Sequence, residues 1–468
     1  MNRFGFVYIG IFFLLITFFS FINIIYSYYF NLYLNINAYV YSLILSLLIG
    51  LPLLFKKKID NKISIYEKII IVLIGYLAIP LLISVPYYLS IYNISFLDCY
   101  FESVSGFTST GFTIFSNIKH LDESLILWRS SSQWIGGIYF LFSIILLIDV
   151  FDDNLKKSLT NFLSFNINET IKQSFKIFIL YGVLTLILFI ILKMVDIRTF
   201  DSLNLSMTII SSGGFIPVNN IESILNTKFK EIVFSLSLLT SFFSLFLSYN
   251  LIFLRKKNLN FFTEDLYLVI YFFILIFIFF VFLNNESNFS TILLSLTSSI
   301  SNIGISNSNI SSNLYFIFLI LVIIGGSFFS TSSGIRFIKI HSLIKYSLNE
   351  LLSHARPKHV FANKLNFSDK NLNQSDISKY FLSVVIFIIS LLSITLILTF
   401  FNNNFDESFK IGILTIMNTV NSSMYGLKDY SFYNLDIFSK STLMLFMIIG
   451  RVELLTLIII SKKFLFKN

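Results

Sequence analysis

"GFTSTGFTIF", residues 106–115, gathers glycines and small hydroxylated residues at the end of an apolar stretch too short to cross a bilayer. The chain around it is strongly apolar. Of 468 residues, 56% are hydrophobic and only 13% charged, and the mean hydropathy is +0.81. A soluble chain of this size has too few polar groups to cover its surface, so the composition implies a multispanning membrane protein. A crossing helix needs about 20 apolar residues. Windows of that kind lie near 4–30, 37–55, 66–92, 125–150, 173–195, 229–254, 265–284, 312–345, 378–402 and 437–461. The expected fold class is an all-α polytopic membrane protein, since a transmembrane barrel would alternate in short strands.

The net charge of +9 resembles a nucleic-acid signal until its placement is read. Lys56, Lys57, Lys58 and Lys62 follow the second window, Lys156 and Lys157 the fourth, and Arg255, Lys256 and Lys257 the sixth. A basic stretch from Lys339 to Lys370 follows the eighth, and Lys462, Lys463 and Lys467 follow the last. All fall on one side if both termini are cytosolic, which is the positive-inside pattern and points to no nucleic-acid partner. Cys99, the single cysteine, excludes an internal disulfide and a cysteine metal cluster. The first apolar window lacks a small-residue cleavage site and reads as a retained helix. His341, His354 and His359 have no ligand spacing, and no phosphate-binding nucleotide motif occurs.

Four segments repeat the opening pattern: 90–112, 199–218, 288–307 and 406–432. Each lies between two apolar windows and reads as a half-helix followed by a glycine turn. With Gly111, Gly214, Gly304 and Gly426 as register marks, the chain divides into an N-terminal helix pair (1–62) and four helix–pore-loop–helix units (63–157, 158–258, 259–370 and 371–468). Non-helical backbone at membrane depth cannot face lipid, because each unpaired peptide group costs several kcal/mol there. Four such segments argue for convergence on one pseudo-fourfold axis. Glycine lets successive carbonyls point the same way, and a ring of carbonyls can replace the hydration shell of K⁺. The expected K⁺ filter comprises Thr108, Ser109, Thr110, Gly111, Ser211, Ser212, Gly213, Gly214, Ser301, Asn302, Ile303, Gly304, Ser423, Met424, Tyr425 and Gly426.

At these residues the chain resembles the Trk/Ktr/HKT superfamily of potassium-uptake proteins, most closely its TrkH-like branch. "FESVSGFTSTGFT" is similar to the family's first pore loop, and "SSQWIGGIYF" (131–140) to its tryptophan–diglycine stretch. "IIGGSFFSTSSGIRFIKI" (323–340) resembles the break in the third unit's second helix, and "IIGRVELLTLI" (448–458) the Gly-Arg-x-Glu stretch of the last. Departures are Gly213 before Gly214, a third loop reading "SNIGIS", Met424 and Tyr425 before Gly426, Lys428 just beyond it, and Phe328 and Phe329 in the helix break. The resemblance implies a K⁺-uptake subunit of a bacterial inner membrane that moves K⁺ inward. It also implies a homodimer with one pore per protomer and a cytosolic nucleotide-binding regulatory subunit.

Gly325, Gly326, Ser330, Thr331, Ser332, Ser333 and Gly334 interrupt an apolar window without a proline. They read either as an intramembrane gate loop below the filter or as a kink for close helix packing. Arg451 lies mid-window, where a cation is costly. The resemblance implies a barrier role beneath the filter; the alternative is a salt bridge, for which Glu102 is a better partner than Glu453, two residues away on the same helix. The polar stretch 340–377 is the natural docking surface for the soluble partner, and most of the 57 phenylalanines read as lipid-facing or core filler. A second functional reading is a Na⁺- or H⁺-coupled carrier with a midplane site, which predicts two related halves. A membrane enzyme would need clustered acids or histidines at bilayer depth, and the windows offer almost none.

Overall fold

The computed structural model describes residues 3–54, 64–147, 170–252, 263–283, 288–307, 310–355, 374–401, 404–428 and 430–452. Helices account for nearly all of the regular structure in these residues, and a single isolated bridge, Ile324 to Ile335, is the only β pairing among them.

Two helices, α1 (Arg3–Tyr29) and α2 (Ile36–Leu54), form an antiparallel pair ahead of the repeat. The same order of elements then occurs four times. A long helix comes first: α3 (Ile65–Tyr88), α6 (Thr170–Met194), α10 (Thr263–Leu283) and α14 (Gln374–Phe400). A half-helix of 12 residues follows: α4 (Phe96–Phe107), α7 (Thr199–Ile210), α11 (Phe289–Ile300) and α15 (Phe405–Ile416). At 1.5 Å per residue a half-helix spans about 18 Å, little more than half of the hydrocarbon core.

The second helix of each unit is less regular. It is α5 (Glu123–Leu146) in the first unit and α16 (Ile437–Val452) in the fourth. In the second unit it is split into α8 (Lys228–Phe242) and α9 (Leu245–Ile252), and in the third into α12 (Tyr315–Ile323) and α13 (Phe337–Ala355). Hydropathy alone marks six helices as membrane spans, namely α1, α2 and the four leading helices. Among the second helices, α8, α9, α12 and α16 are too short over the described residues to reach that mark. α5 carries Arg129, Ser130, Ser131, Ser132 and Gln133, all buried. The window at 229–254 is therefore broken at Phe243–Ser244, which its apolar composition did not reveal. The window at 312–345 is broken over 324–336, where the glycines and serines of the sequence fall.

The four units close into a ring. α5 packs on α7, α8 on α11, α12 on α15, and α16 returns to α4. A buried ion pair fastens that last contact: Lys440 Nζ donates to Asp98 Oδ1 at 2.5 Å and to the Tyr433 carbonyl at 2.8 Å. Units adjacent in sequence are thus adjacent around the axis, and the second and fourth stand opposite each other.

Candidate functional site

Every half-helix ends in the same way. The C-cap residues are Thr108, Ser211, Ser301 and Met417. The next residue is left-handed in each case: Ser109 (φ +57°), Ser212 (+55°), Asn302 (+59°) and Asn418 (+46°). The residue after that donates its N–H to a carbonyl five positions back. The pairs are Thr110 to Ser105 (2.9 Å), Gly213 to Thr208 (2.8 Å), Ile303 to Ser298 (3.0 Å) and Thr419 to Leu414 (2.9 Å). These bonds close the helix C-terminus in a Schellman-like cap and leave the helix pointing its negative end at the axis.

This shared geometry sets the register and corrects one expectation. The fourth turn is Met417–Asn418–Thr419–Val420, and Ser423, Met424, Tyr425 and Gly426 lie six residues further on. Ser423–Tyr425 form a short 3₁₀ turn that Gly426 caps in the left-handed region (φ +71°). That turn packs on the segment after the third half-helix: Ser423 Oγ donates to the Asn307 carbonyl at 2.8 Å, and the Met424 sulfur accepts from Ser299 Oγ at 3.6 Å. A side chain at Gly426 would meet the Tyr315 ring at 2.8 Å, away from the other three turns. Glycine misled the register because the turn does not require it. The obligatory left-handed residue is a serine or an asparagine, and asparagine is enriched there. The available signal was Asn418 at the end of a half-helix as long as the others.

The other three expected segments come together with this corrected fourth. Ser212 Oγ donates to the Ser301 carbonyl at 2.6 Å. Asn302 Nδ2 donates to the Val322 carbonyl at 2.8 Å and reaches Thr419 Oγ1 at 3.4 Å. Asn418 Nδ2 donates to Thr110 Oγ1 at 3.0 Å and to the Met447 carbonyl at 2.8 Å. Side chains therefore tie turn two to turn three, three to four, and four to one. Two buried oxygens at the turns, Ser109 Oγ and Asn302 Oδ1, have no hydrogen-bond partner among the described residues.

A cavity of about 400 Å³ opens on one side of the ring. Gly111, Gly214, Gly304 and Val420 line it together, and Lys428 and Asn421 contribute to its wall. The wall is braced by a fully buried pair that the sequence did not single out. Arg129 Nε donates to Glu102 Oε1 at 2.9 Å, with 1% and 0% of the two side chains exposed. Glu102 also accepts from Thr113 Oγ1 (3.0 Å) and the Ile114 N–H (2.9 Å), and the guanidinium lies over Phe215 at 4.1 Å. Glu102 is thus committed to Arg129 and does not pair with Arg451. Asp429, next to Lys428 in the sequence, lies outside the described residues, as do Glu453 and residues 356–373.

On the opposite side of the ring lies the break between α12 and α13. The Gly325 N–H donates to the Ile335 carbonyl and the Ile335 N–H to the Ile323 carbonyl, both at 2.9 Å. The loop is also stitched to the break between α8 and α9. The Ser327 N–H donates to the Phe242 carbonyl (3.0 Å), Ser332 to Ser241 (3.1 Å) and Leu245 to Phe329 (3.1 Å). Arg336 gathers it from within, donating to the Ser327 carbonyl at 3.1 Å and the Ser332 carbonyl at 3.0 Å. Buried Arg451 donates to the Thr331 carbonyl (3.0 Å), to Ser333 Oγ, and to the Ser211 carbonyl (3.2 Å) at the end of α7. Its guanidinium also lies over Phe140 at 4.1 Å. Among the described residues no carboxylate pairs with it. A cation so placed joins the broken loop to a half-helix end by neutral acceptors.

No family model matches the chain. An uncharacterized cation transporter of Methanocaldococcus jannaschii is 26% identical over 82% of this chain and 80% of its own length. The Trk system potassium uptake protein TrkG of Escherichia coli is 22% identical over 80% of each chain, and TrkH of Halomonas elongata is 25% identical over 57% of this chain and 59% of its own. The crystal structure of the potassium transporter TrkH from Vibrio parahaemolyticus superposes with a TM-score of 0.80 over 97% of this chain and 98% of that one, at 19% identity. The chain is similar in sequence to Trk potassium-uptake proteins. It shares the polytopic helical fold of that structure, which accounts for the fourfold element order. Its named relatives are transporters, so the membrane-enzyme reading is set aside.

Proposed function

We infer that the chain is a membrane subunit for potassium uptake, with K⁺ passing inward through the ring of four half-helix turns. The observation that carries this reading is the helix cap common to the turns at 108–111, 211–214, 301–304 and 417–420. The chemistry follows from that backbone. The half-helices present their partially negative ends to the axis, and bare carbonyls stand in for the water that K⁺ gives up. Ser109 Oγ and Asn302 Oδ1 add neutral oxygens suited to a hard monovalent cation. An inside-negative potential supplies about 2.3 kcal/mol per charge per 100 mV, so no chemical step in this chain is needed. This Trk-type reading is supported by the names of its relatives, which are potassium or cation transporters.

In this reading the loop of Gly325, Gly326, Ser330–Gly334 obstructs the path beyond the ring and moves when the path opens. Arg451 holds it there and repels cations at rest. Opening requires the Thr331 and Ser333 bonds to break, which a regulatory partner on the cytosolic side can drive. A nucleotide-binding subunit fits that role, because this chain has no nucleotide motif. α13 leaves Leu348 and Leu351 exposed, an apolar face suited to a second copy of the chain in a homodimer.

The test is growth of a K⁺-uptake-deficient strain at low K⁺ with the wild-type gene and with Gly111→Ser and Gly304→Ser. Wild-type rescue with failure of both variants is expected. Full rescue by both variants would remove the ring from the permeation path.

A further inference from the structure

Val420 stands where the other three turns carry Gly111, Gly214 and Gly304, and its side chain crosses the axis. A Cβ built on Gly214, in the opposite unit, would meet Val420 Cβ at 2.3 Å and Cγ1 at 2.7 Å. One built on Gly111 would meet Val420 Cβ at 3.0 Å, and one on Gly304 would meet Val420 Cγ1 at 2.9 Å. A single isopropyl group therefore touches all three remaining positions at one level. Contact between diagonal members of a ring leaves no central opening there. The level is the floor of the 400 Å³ cavity, lined jointly by these four residues.

The valine is not demanded by its backbone. Gly111 and Gly304 sit at φ +83° and +82°, whereas Gly214 and Val420 lack a positive φ. The ring alternates between two conformations, and only the second pair tolerates a β-branched side chain without strain. Nor is the site a plain apolar core: Thr419 and Asn418 beside it carry the polar links between turns.

We propose that Val420 is an apolar plug at the cavity end of the ion path, and that its size sets the rate at which cations pass. This rests on the reading of the ring as the K⁺ path. A cation leaving the cavity must shed water against a hydrocarbon group that offers no oxygen in return, which is how an apolar constriction closes a pore. Passage then requires the valine to move off the axis. Gly214 makes room for the plug, so the two residues form one size-matched pair.

Rb⁺ flux into proteoliposomes of the full chain, under an imposed inside-negative potential, tests the plug. Val420→Gly is expected to be faster than wild type by about tenfold, equivalent to about 1.4 kcal/mol, with Val420→Ala between them. Val420→Thr keeps the volume and adds an oxygen, so it separates size from polarity: its flux is expected to lie between those of wild type and Val420→Gly. Gly214→Ala alone is expected to abolish flux, and Val420→Gly in the same chain to restore it, which a merely structural valine would not do. Equal flux through wild type and Val420→Gly overturns the plug while leaving the uptake reading intact. No alkali-cation flux in either overturns both.

Discussion

The first and fourth turns share a backbone cap over their first three residues and little else. Thr108–Gly111 is hydroxylated and ends in a glycine at φ +83°. Met417–Val420 replaces the hydroxyl cap with a thioether, the left-handed serine with Asn418, and the glycine with a half-buried valine. The difference teaches which feature of the turn is structural. The left-handed residue and the carbonyl five positions behind the next N–H recur in both; the glycine recurs only where φ is positive or a neighbour intrudes.

The sharpest way to break this comparison is to move the valine. Gly111→Val puts a β-branched side chain at φ +83° with Gly214 Cα 2.9 Å from its Cβ. Rb⁺ uptake by cells is expected to fall about 100-fold, equivalent to about 2.7 kcal/mol, whereas Val420→Gly is expected to raise it. Matched losses in both would mean that the turns are not comparable. Next in size is the brace of the first turn. Glu102→Gln leaves Arg129 as an uncompensated buried cation, a loss of about 3–5 kcal/mol, read as a lower melting temperature of the purified protein in detergent. Among the described residues the fourth turn has no such brace, so removal of its polar links should cost less. Asn418→Ala deletes the bonds to Thr110 and Met447 and is expected to cost about 1–3 kcal/mol by the same measurement; a larger cost than Glu102→Gln would invert the ranking.

Arg451→Ala is a gentler probe, since it frees the loop from the ring and removes only one bond to a turn, that to the Ser211 carbonyl. Uptake at low K⁺ is expected to rise a few-fold by loss of a local charge, and an unchanged or lower rate would reduce Arg451 to a strut. The smallest expected effect is that of Gly426→Ser. A side chain at φ +71° facing Tyr315 costs about 1 kcal/mol of stability, yet uptake per folded molecule should not change. Collapse of uptake to the level of Gly111→Ser would restore Gly426 to the ring.

Most of the architecture was legible because bilayer physics leaves few options. Long apolar windows, short polar-tipped segments and one-sided lysines each carry meaning without any contact being known. The break between α12 and α13 was legible too, as a run of glycine and serine inside an apolar window. The break at Phe243–Ser244 was not, because its freed peptide groups are satisfied by a distant segment: Asp265 accepts from the Ser244 N–H at 2.9 Å and from Ser244 Oγ at 2.8 Å. Likewise Glu102 has one guanidinium partner by proximity of α4 to α5, a choice between Arg129 and Arg451 that spacing along the chain could not make.

Taken alone, the order of residues determined that this chain spans a membrane, repeats a half-helix four times and turns each one back with small polar residues. Those properties depend on local composition and on the cost of unpaired peptide groups in hydrocarbon. Only the tertiary structure decided that Val420 completes the ring in place of Gly426, that Arg129 takes Glu102, and that Arg451 grips the loop. Each is a contact between segments remote in sequence, and which segments meet is settled by packing around the axis.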